Sequence, residues 1–328
     1  MSAYTTVSDR QRDAAGRVAA AVSASRIEES VCLLAATPRH STENPREHAR
    51  AADYIADVLS GRGVAVSRQA FPIDGQSAPR TGVNVIGTLA GRGARGPAVL
   101  IGAHYDTVVD SPGADDNASG VAAVLECARV LSGLELRRPV IFAAFDAEEK
   151  QPPVEGLHGS TAYVASLVAA GGRPTDSVGV AYIMEMIGFA SPPGTQGLAP
   201  GFQILFPRAF DGLRARKFAG DSVVALANPA SIGEARMLEK ASDTFGGGTP
   251  ILALEIPWWL SGLKDFYRSD HAPFWRVGIP ALMIGDTANY RNPHYHTPGD
   301  TALTLDFQMA ANVAKTLAAS MALQVAAH

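Results

Sequence analysis

Helical and strand periodicities alternate along most of the chain. Ser8 stands where an N-cap is wanted ahead of a first helix, and 27–35 carries a second apolar face before the break at Thr37-Pro38. After Asn44-Pro45, the segment 46–59 gathers Ala52, Ile55, Ala56 and Leu59 on one face of a third helix. Apolar, β-branched runs predict strands at 64–70, 83–89, 98–103, 140–145, 180–186, 222–227 and 281–284. Helices are predicted at 120–131, 160–169, 235–241 and from Phe307 onward. Strands that are apolar on both faces and alternate with helices require a sheet covered on both sides. The expected fold is α/β, a three-layer sandwich whose central, mostly parallel (mixed) β-sheet lies between helices. No repeat, low-complexity tract or domain-length linker interrupts it. Residues 1–328 read as one catalytic-size domain opened by a helical segment over about 1–38.

Composition narrows the classes. The formal charge of −4 gives no bulk electrostatic case for nucleic acid or anionic membrane, and no window has the apolar length to span a bilayer. Arg10, Arg12 and Arg17 precede a short alanine-rich run that imitates a secretory signal, but Asp9 and Asp13 sit in its basic region, so a surface helix is expected. Cys32 and Cys127 fall in apolar helical patterns and are expected as buried thiols. Without a disulfide framework, the cytoplasm is the expected compartment. The glycines of Gly91-Arg92-Gly93-Ala94-Arg95-Gly96 match a dinucleotide fingerprint, yet Pro97 and a strand follow where a helix is needed, so they read as a turn.

Candidate chemistry begins at strand ends. The run 98–103 delivers His104-Tyr105-Asp106, an imidazole able to ligate a metal with Asp106 placed to fix its ring. Next come Gly113-Ala114-Asp115-Asp116-Asn117-Ala118-Ser119-Gly120 before a helix, where capping and ligation can coexist on different residues. The run 140–145 ends in Asp146-Ala147-Glu148-Glu149, a pair suited to one carboxylate on a metal and one moving protons. Glu185 is a lone acid inside an apolar strand and needs a cationic partner. Asn292-Pro293-His294-Tyr295-His296-Thr297 adds His296 on a loop. Each is ambiguous alone; five in one chain point to a metal centre.

In order, His-x-Asp, Gly-Ala-Asp-Asp-Asn-Ala-Ser-Gly, Glu-Glu, Met-Glu-Met-Ile-Gly, Ser-Asp-His-Ala-Pro-Phe and Tyr-His-Thr-Pro-Gly-Asp-Thr resemble the co-catalytic two-zinc aminopeptidases, the aminopeptidase Y and aminopeptidase S family, over roughly residues 30–325. The resemblance implies a zinc-exopeptidase-like fold and two zinc ions bridged by Asp116, in a cis peptide with Asn117. His104 and Glu185 would complete one site, Glu149 and His296 the other, with Asp115 a non-ligand. Glu148 would be the general base, Asp106 would support His104, and Asp270 and His271 would line or brace the site. Three ligand carboxylates against four positive charges leave room for a bridging hydroxide. That water would attack a peptide or small amide carbonyl, with Tyr295 helping to stabilise the oxyanion. Mixed histidine and carboxylate sites also hold manganese or cobalt.

The sequence departs from the family pattern in two places. Lys150-Gln151-Pro152-Pro153-Val154-Glu155 intervenes before Gly156-Leu157-His158-Gly159-Ser160, and position 185 is Glu where many relatives have Asp. Trp258 and Trp259 form a candidate apolar specificity wall, and Arg291 a candidate acceptor for a substrate carboxylate. Two alternatives share the scaffold: a glutaminyl-cyclase-like acyl transferase using one zinc, and a metal-free binding protein. Oligomeric state is not legible.

Overall fold

The computed structural model describes residues 8–73, 80–92, 96–150, 155–260 and 264–327. Ser8 Oγ accepts the backbone N–H of Gln11, and the Gln11 side chain accepts the Ser8 N–H; this reciprocal cap starts α1 (Asp9–Ala21). Helices α2 (Ala24–Leu34) and α3 (Pro45–Ser60) follow. The first helix buries Ala14, Ala15, Val18 and Ala19, and Gln11 reaches across to the carbonyl of Leu323.

The strands are β1 (Ala65–Ile73), β2 (Arg80–Leu89), β3 (Ala98–His104), β4 (Val140–Phe145), β5 (Val178–Glu185), β6 (Val223–Ala227), β7 (Ile251–Glu255) and β8 (Ala281–Gly285). They form one sheet in the order β1-β2-β4-β3-β5-β8-β6-β7. Ladders β3–β4, β3–β5, β5–β8 and β6–β7 are parallel, whereas β1–β2, β2–β4 and β6–β8 are antiparallel. The sheet is therefore mixed, with its parallel ladders concentrated at the centre. Edge strand β7 has no counterpart among the predicted strands; five residues with two of them leucine carry little strand signature until β6 lies beside them.

The remaining helices are α4 (Gly120–Leu131), α5 (His158–Ala169), α6 (Pro174–Ser177), α7 (Phe202–Leu205), α8 (Pro207–Ala215), α9 (Ile232–Phe245), α10 (His271–Arg276) and α11 (Phe307–Val325). One face of the sheet packs against α1–α4, α9 and α11, the other against α5 and α10, with α7 and α8 over the β6–β7 end. Alternation explains the two cores. Along β4, Val140, Phe142 and Ala144 enter one, Ala143 and Phe145 the other. Each large side chain so buried contributes on the order of 2 kcal/mol.

Cys127 is buried on α4, but Cys32 is exposed, contrary to expectation. The buried stripe of α2 is Ile27, Ser30, Val31 and Leu34, and Cys32 sits one helical step beyond it. The chain from 91 to 96, of which 93–95 lie outside the described residues, joins β2 to β3, and the next described element is strand β3. No helix among the described residues is long and apolar enough to cross a membrane.

Candidate metal centre

Strands β4, β3 and β5 are neighbours and parallel, so their carboxyl ends share one edge of the sheet. His104 lies opposite Phe145, and Gly102 opposite Ile183, which carries His104 and Glu185 to the edge side by side. The acids after β4 turn away through Ala147, a non-glycine residue at φ 55°.

Between β3 and α4 the chain makes an irregular turn. Gly113 has φ +61°, and a Cβ there would sit 2.2 Å from the Asp116 carbonyl oxygen, so only glycine fits. The Asp116–Asn117 peptide is cis. Asn117 Oδ1 accepts the N–H of Gly120 at the start of α4 and that of Met186, while Nδ2 donates to Met184 O at 2.8 Å. Capping thus falls to Asn117 and leaves the Asp116 carboxylate free.

That carboxylate divides between two histidines. Oδ1 is 3.2 Å from His104 Nε2 and Oδ2 is 3.1 Å from His296 Nε2. Glu185 Oε1 stands 3.4 Å from His104 Nε2, and Glu149 Oε1 stands 3.1 Å from His296 Nε2. Two triads result, His104–Asp116–Glu185 and Asp116–Glu149–His296, each with its ligand atoms within 4.8 Å of one another. The five side chains singled out from sequence are brought together. Glu148 lies on the same rim and groups with His104 and Glu149.

The electrostatics demand a cation. Among the described residues, no lysine or arginine is ion-paired with Asp116, Glu149 or Glu185. Asp116 Oδ1 and His104 Nδ1 are buried without a hydrogen-bond partner. Burial and the nearby Asp116 carboxylate push Glu149 up to about 7, and burial with the charges of Glu185, Glu149 and Asp270 lifts Glu148 well above its ordinary range. Burial works against a charged His296, but its bonds to Asp116 and Glu149 raise it to about 10. Imidazole and carboxylate oxygens at this density suit two divalent ions, which would replace those protons.

Several residues brace the cluster. Asp106 Oδ1 lies 3.5 Å from His104 Nδ1, and the Asp106 carboxylate accepts the backbone N–H groups of Glu148 and Glu149 at 3.0 and 3.1 Å. Sequence reading assigned no role to three others. Asp300, inside the Thr-Pro-Gly-Asp-Thr motif, accepts the N–H groups of Asp115 and Asp116. Ser269 Oγ donates to Glu185 Oε2 at 2.6 Å. Arg39, fully buried, donates to the carbonyls of Leu34, Tyr105, Pro112 and Gly113, clasping both ends of the loop from His104 to Asp116. Nothing in its local sequence marks it.

Asp115 faces away from the triads, accepting from Gly188 N, Ser119 Oγ and Asn292 Nδ2. Tyr295 stacks on His296 with ring centroids 3.8 Å apart and accepts a bond from Arg268. Asp270 is fully buried, and its charge field acts on Glu148. His271 points into the packing of α10, with Nε2 on Phe266 O and its ring edge-on to Trp275 at 4.5 Å. Trp259 is exposed; the Trp258 side chain lies outside the described residues. Of the 150–155 loop, Lys150 and Glu155 pair at 2.9 Å, and 151–154 lie outside the described residues. The expectation for Arg291 is corrected: it is buried, with its donors spent on Gln196 Oε1, Phe189 O and Ser222 O, so it has no exposed face for a substrate.

The model of peptidase family M28 matches residues 84–199 and 261–321, the two stretches that hold the triads. YfbL of Escherichia coli (strain K12) is 35% identical over 301 residues, covering 88% of this chain and 84% of its own length. Aminopeptidase YwaD of Bacillus subtilis (strain 168) is 28% identical over 226 residues, which are 68% of this chain but only 40% of that protein. Among solved structures, BSAP, a zinc aminopeptidase from Bacillus subtilis, superposes with a TM-score of 0.68 at 17% identity, covering 93% of this chain and 96% of that one. Macrostomum lignano glutaminyl cyclase does so with 0.72 at 16% identity, covering 99% and 95%. At those identities the structures speak for the fold alone, whereas the family match takes in the whole acid-and-histidine rim and YfbL covers most of the chain. The chain belongs to peptidase family M28.

Proposed function

We propose that the chain is a metal-dependent aminopeptidase, a single catalytic domain that hydrolyses a peptide or small amide bond with two zinc ions. The observation that carries this is the division of one carboxylate between two histidines, each completed by a further acid, with no basic side chain paired to the set. His104, Asp116 and Glu185 would hold one ion, and Asp116, Glu149 and His296 the other. Bound there, the ions supply Lewis acidity toward the scissile carbonyl and make water easier to ionise at neutral pH.

The chain's own groups do the rest. Glu148, carried beside Glu149 on a backbone pinned by Asp106, takes a proton from the attacking water and returns it to the departing amine nitrogen. Tyr295 Oη already accepts a bond from Arg268, so its own proton is free to stabilise charge on the carbonyl oxygen. Asp106 and Asp300 hold backbone rather than substrate, and so fix the spacing of the groups that react.

Zinc rests on the donor set and on the description of BSAP; amino-terminal specificity rests on the names of YwaD and BSAP. Free cysteines and the packing of α1 into the core support work in the cytoplasm. The test is metal quantification joined to a screen of aminoacyl amides, dipeptides and amino-terminal glutamine substrates. Two metals per chain with release of the amino-terminal residue are expected. One metal with ammonia release and no cleavage would establish the cyclase reading. Absence of any transition metal after gentle purification would favour the metal-free binding protein instead.

A further inference from the structure

Arg268 stands one residue from the acid cluster, because Ser269 Oγ donates to Glu185 Oε2. Its guanidinium carbon lies 5.8 Å from the centroid of the Tyr295 ring, and that ring stacks on His296. One nitrogen donates to Tyr295 Oη at 2.9 Å and the other to Asn289 Oδ1 at 3.1 Å. Both partners are neutral. Among the described residues Arg268 has no acid within ion-pair distance, although the charges of Asp265 and Glu185 act on it from further away. Exposed arginines such as Arg26 and Arg62 are likewise unpaired among those residues, and what sets Arg268 apart is its place beside Tyr295 and Ser269. Two of its five N–H groups are taken, which leaves donors on an exposed, planar fork already fixed by a ring and two hydrogen bonds.

The charge of the surroundings makes this arrangement informative. With Glu149 and Glu185 offset by the ions they would hold, Glu148 and Asp270 still crowd the site, so a substrate carboxylate entering it meets repulsion unless a cation stands at the rim. Arg291, the arginine first expected to meet it, is buried behind the site. We propose that Arg268 is a specificity-determining residue that receives a carboxylate of the substrate, either the free carboxyl terminus of a dipeptide or an acidic side chain beside the scissile bond. The inference rests on the aminopeptidase reading for the word substrate, but its test does not depend on turnover.

The experiment is calorimetric binding to zinc-loaded Glu148→Gln protein, with and without Arg268→Gln. Three ligands carry a carboxylate in different places, Leu-Gly, Leu-Glu-amide and Glu-Gly-amide, and each is paired with its neutral isostere, Leu-Gly-amide, Leu-Gln-amide and Gln-Gly-amide. At least one of the acidic ligands should bind about tenfold more tightly than its neutral isostere. That ratio should collapse toward one in Arg268→Gln and recover in part in Arg268→Lys; the ligand that shows it identifies the source of the carboxylate. A merely structural Arg268, acting through Tyr295, would weaken acidic and neutral ligands alike and leave the ratio standing, which overturns the proposal, as does the absence of any preference for an acid. Discriminated binding of ligands that the Glu148 enzyme never cleaves would sink the aminopeptidase reading and leave Arg268 as a carboxylate receptor. Cleavage without discrimination would do the reverse.

Discussion

Asp300 Oδ2 accepts the backbone N–H of Asp116 at 3.1 Å, so the acid shared by both triads is held by a second acid from the far end of the chain. Its other oxygen accepts the N–H of Asp115. Asp300→Asn keeps the shape but turns an amide N–H₂ toward one of those donors. Metal affinity should fall by about 10- to 100-fold, as is usual for groups that orient ligands. Equilibrium dialysis with elemental analysis measures it, and unchanged affinity removes Asp300 from that role.

Glu148→Gln should retain both metals, since no ligand is lost, while turnover on an aminoacyl amide drops by about a thousandfold. Elemental analysis alongside steady-state rates separates the two effects. Activity within tenfold of the parent would show that another group moves the proton.

Stripping the metals should lower stability, because the carboxylates of Asp116, Glu149 and Glu185 lose the cations that offset their mutual repulsion. For ions near a thousand times their dissociation constant, a fall of roughly 5–10 °C in the unfolding midpoint is expected on chelation. The midpoint should return on adding zinc. A chelated, metal-free sample that melts where the loaded one does contradicts the metal centre.

Arg39→Lys should destabilise the fold by about 2–4 kcal/mol, since one ammonium cannot reach the four carbonyls that the guanidinium spans. Burial pushes Arg39 down to about 10, with Asp300, Asp106 and Asp116 opposing, so it stays charged at neutral pH. Urea unfolding reads the loss directly; a shift below about 0.5 kcal/mol, the range of an ordinary surface change, would mean the loop is held by other bonds.

His271 supplies a pH signature. Burial pushes its pKa down to about 4, so the folded protein keeps it neutral where the unfolded chain, near 6.5, takes up a proton. Its contribution is complete above about pH 6.5 and lost as pH falls from there to about 4, amounting to roughly 3 kcal/mol. Unfolding free energy should therefore drop less steeply over that window in His271→Gln than in the parent; parallel profiles would rule the effect out.

Much of the site was legible because metal ligands here stand directly at the ends of apolar strands, where periodicity breaks abruptly into acid or imidazole: His104 after β3, Glu148 and Glu149 after β4, Glu185 closing β5. What bound them together was not. Arg39 contacts only carbonyls, and a carbonyl has no signature in sequence. Arg291 stands five residues before His296 and Arg268 far upstream of it, yet the chain entering β6 and the loop after β5 enclose the first while the second stays at the rim beside Tyr295. Cys32 failed for a related reason, since an apolar pattern one step off the buried stripe differs by only a single residue. Strand β7 exists by pairing with β6, a long-range cause that local composition does not carry.

The excursion that begins after Glu149 comes back to where it left: Leu157 N–H donates to Glu148 O, His158 N–H to Ala147 O and Gly159 N–H to Asp146 O. A Cβ on Gly156 would lie 2.0 Å from that same Glu148 oxygen, so the return is fitted to the acids themselves. The stem is thus closed independently of how much chain hangs from it. Changing the length of that excursion should therefore leave Glu148 and Glu149 in place, which makes it a graft point where new substrate preferences could be installed while the reacting groups are inherited unchanged.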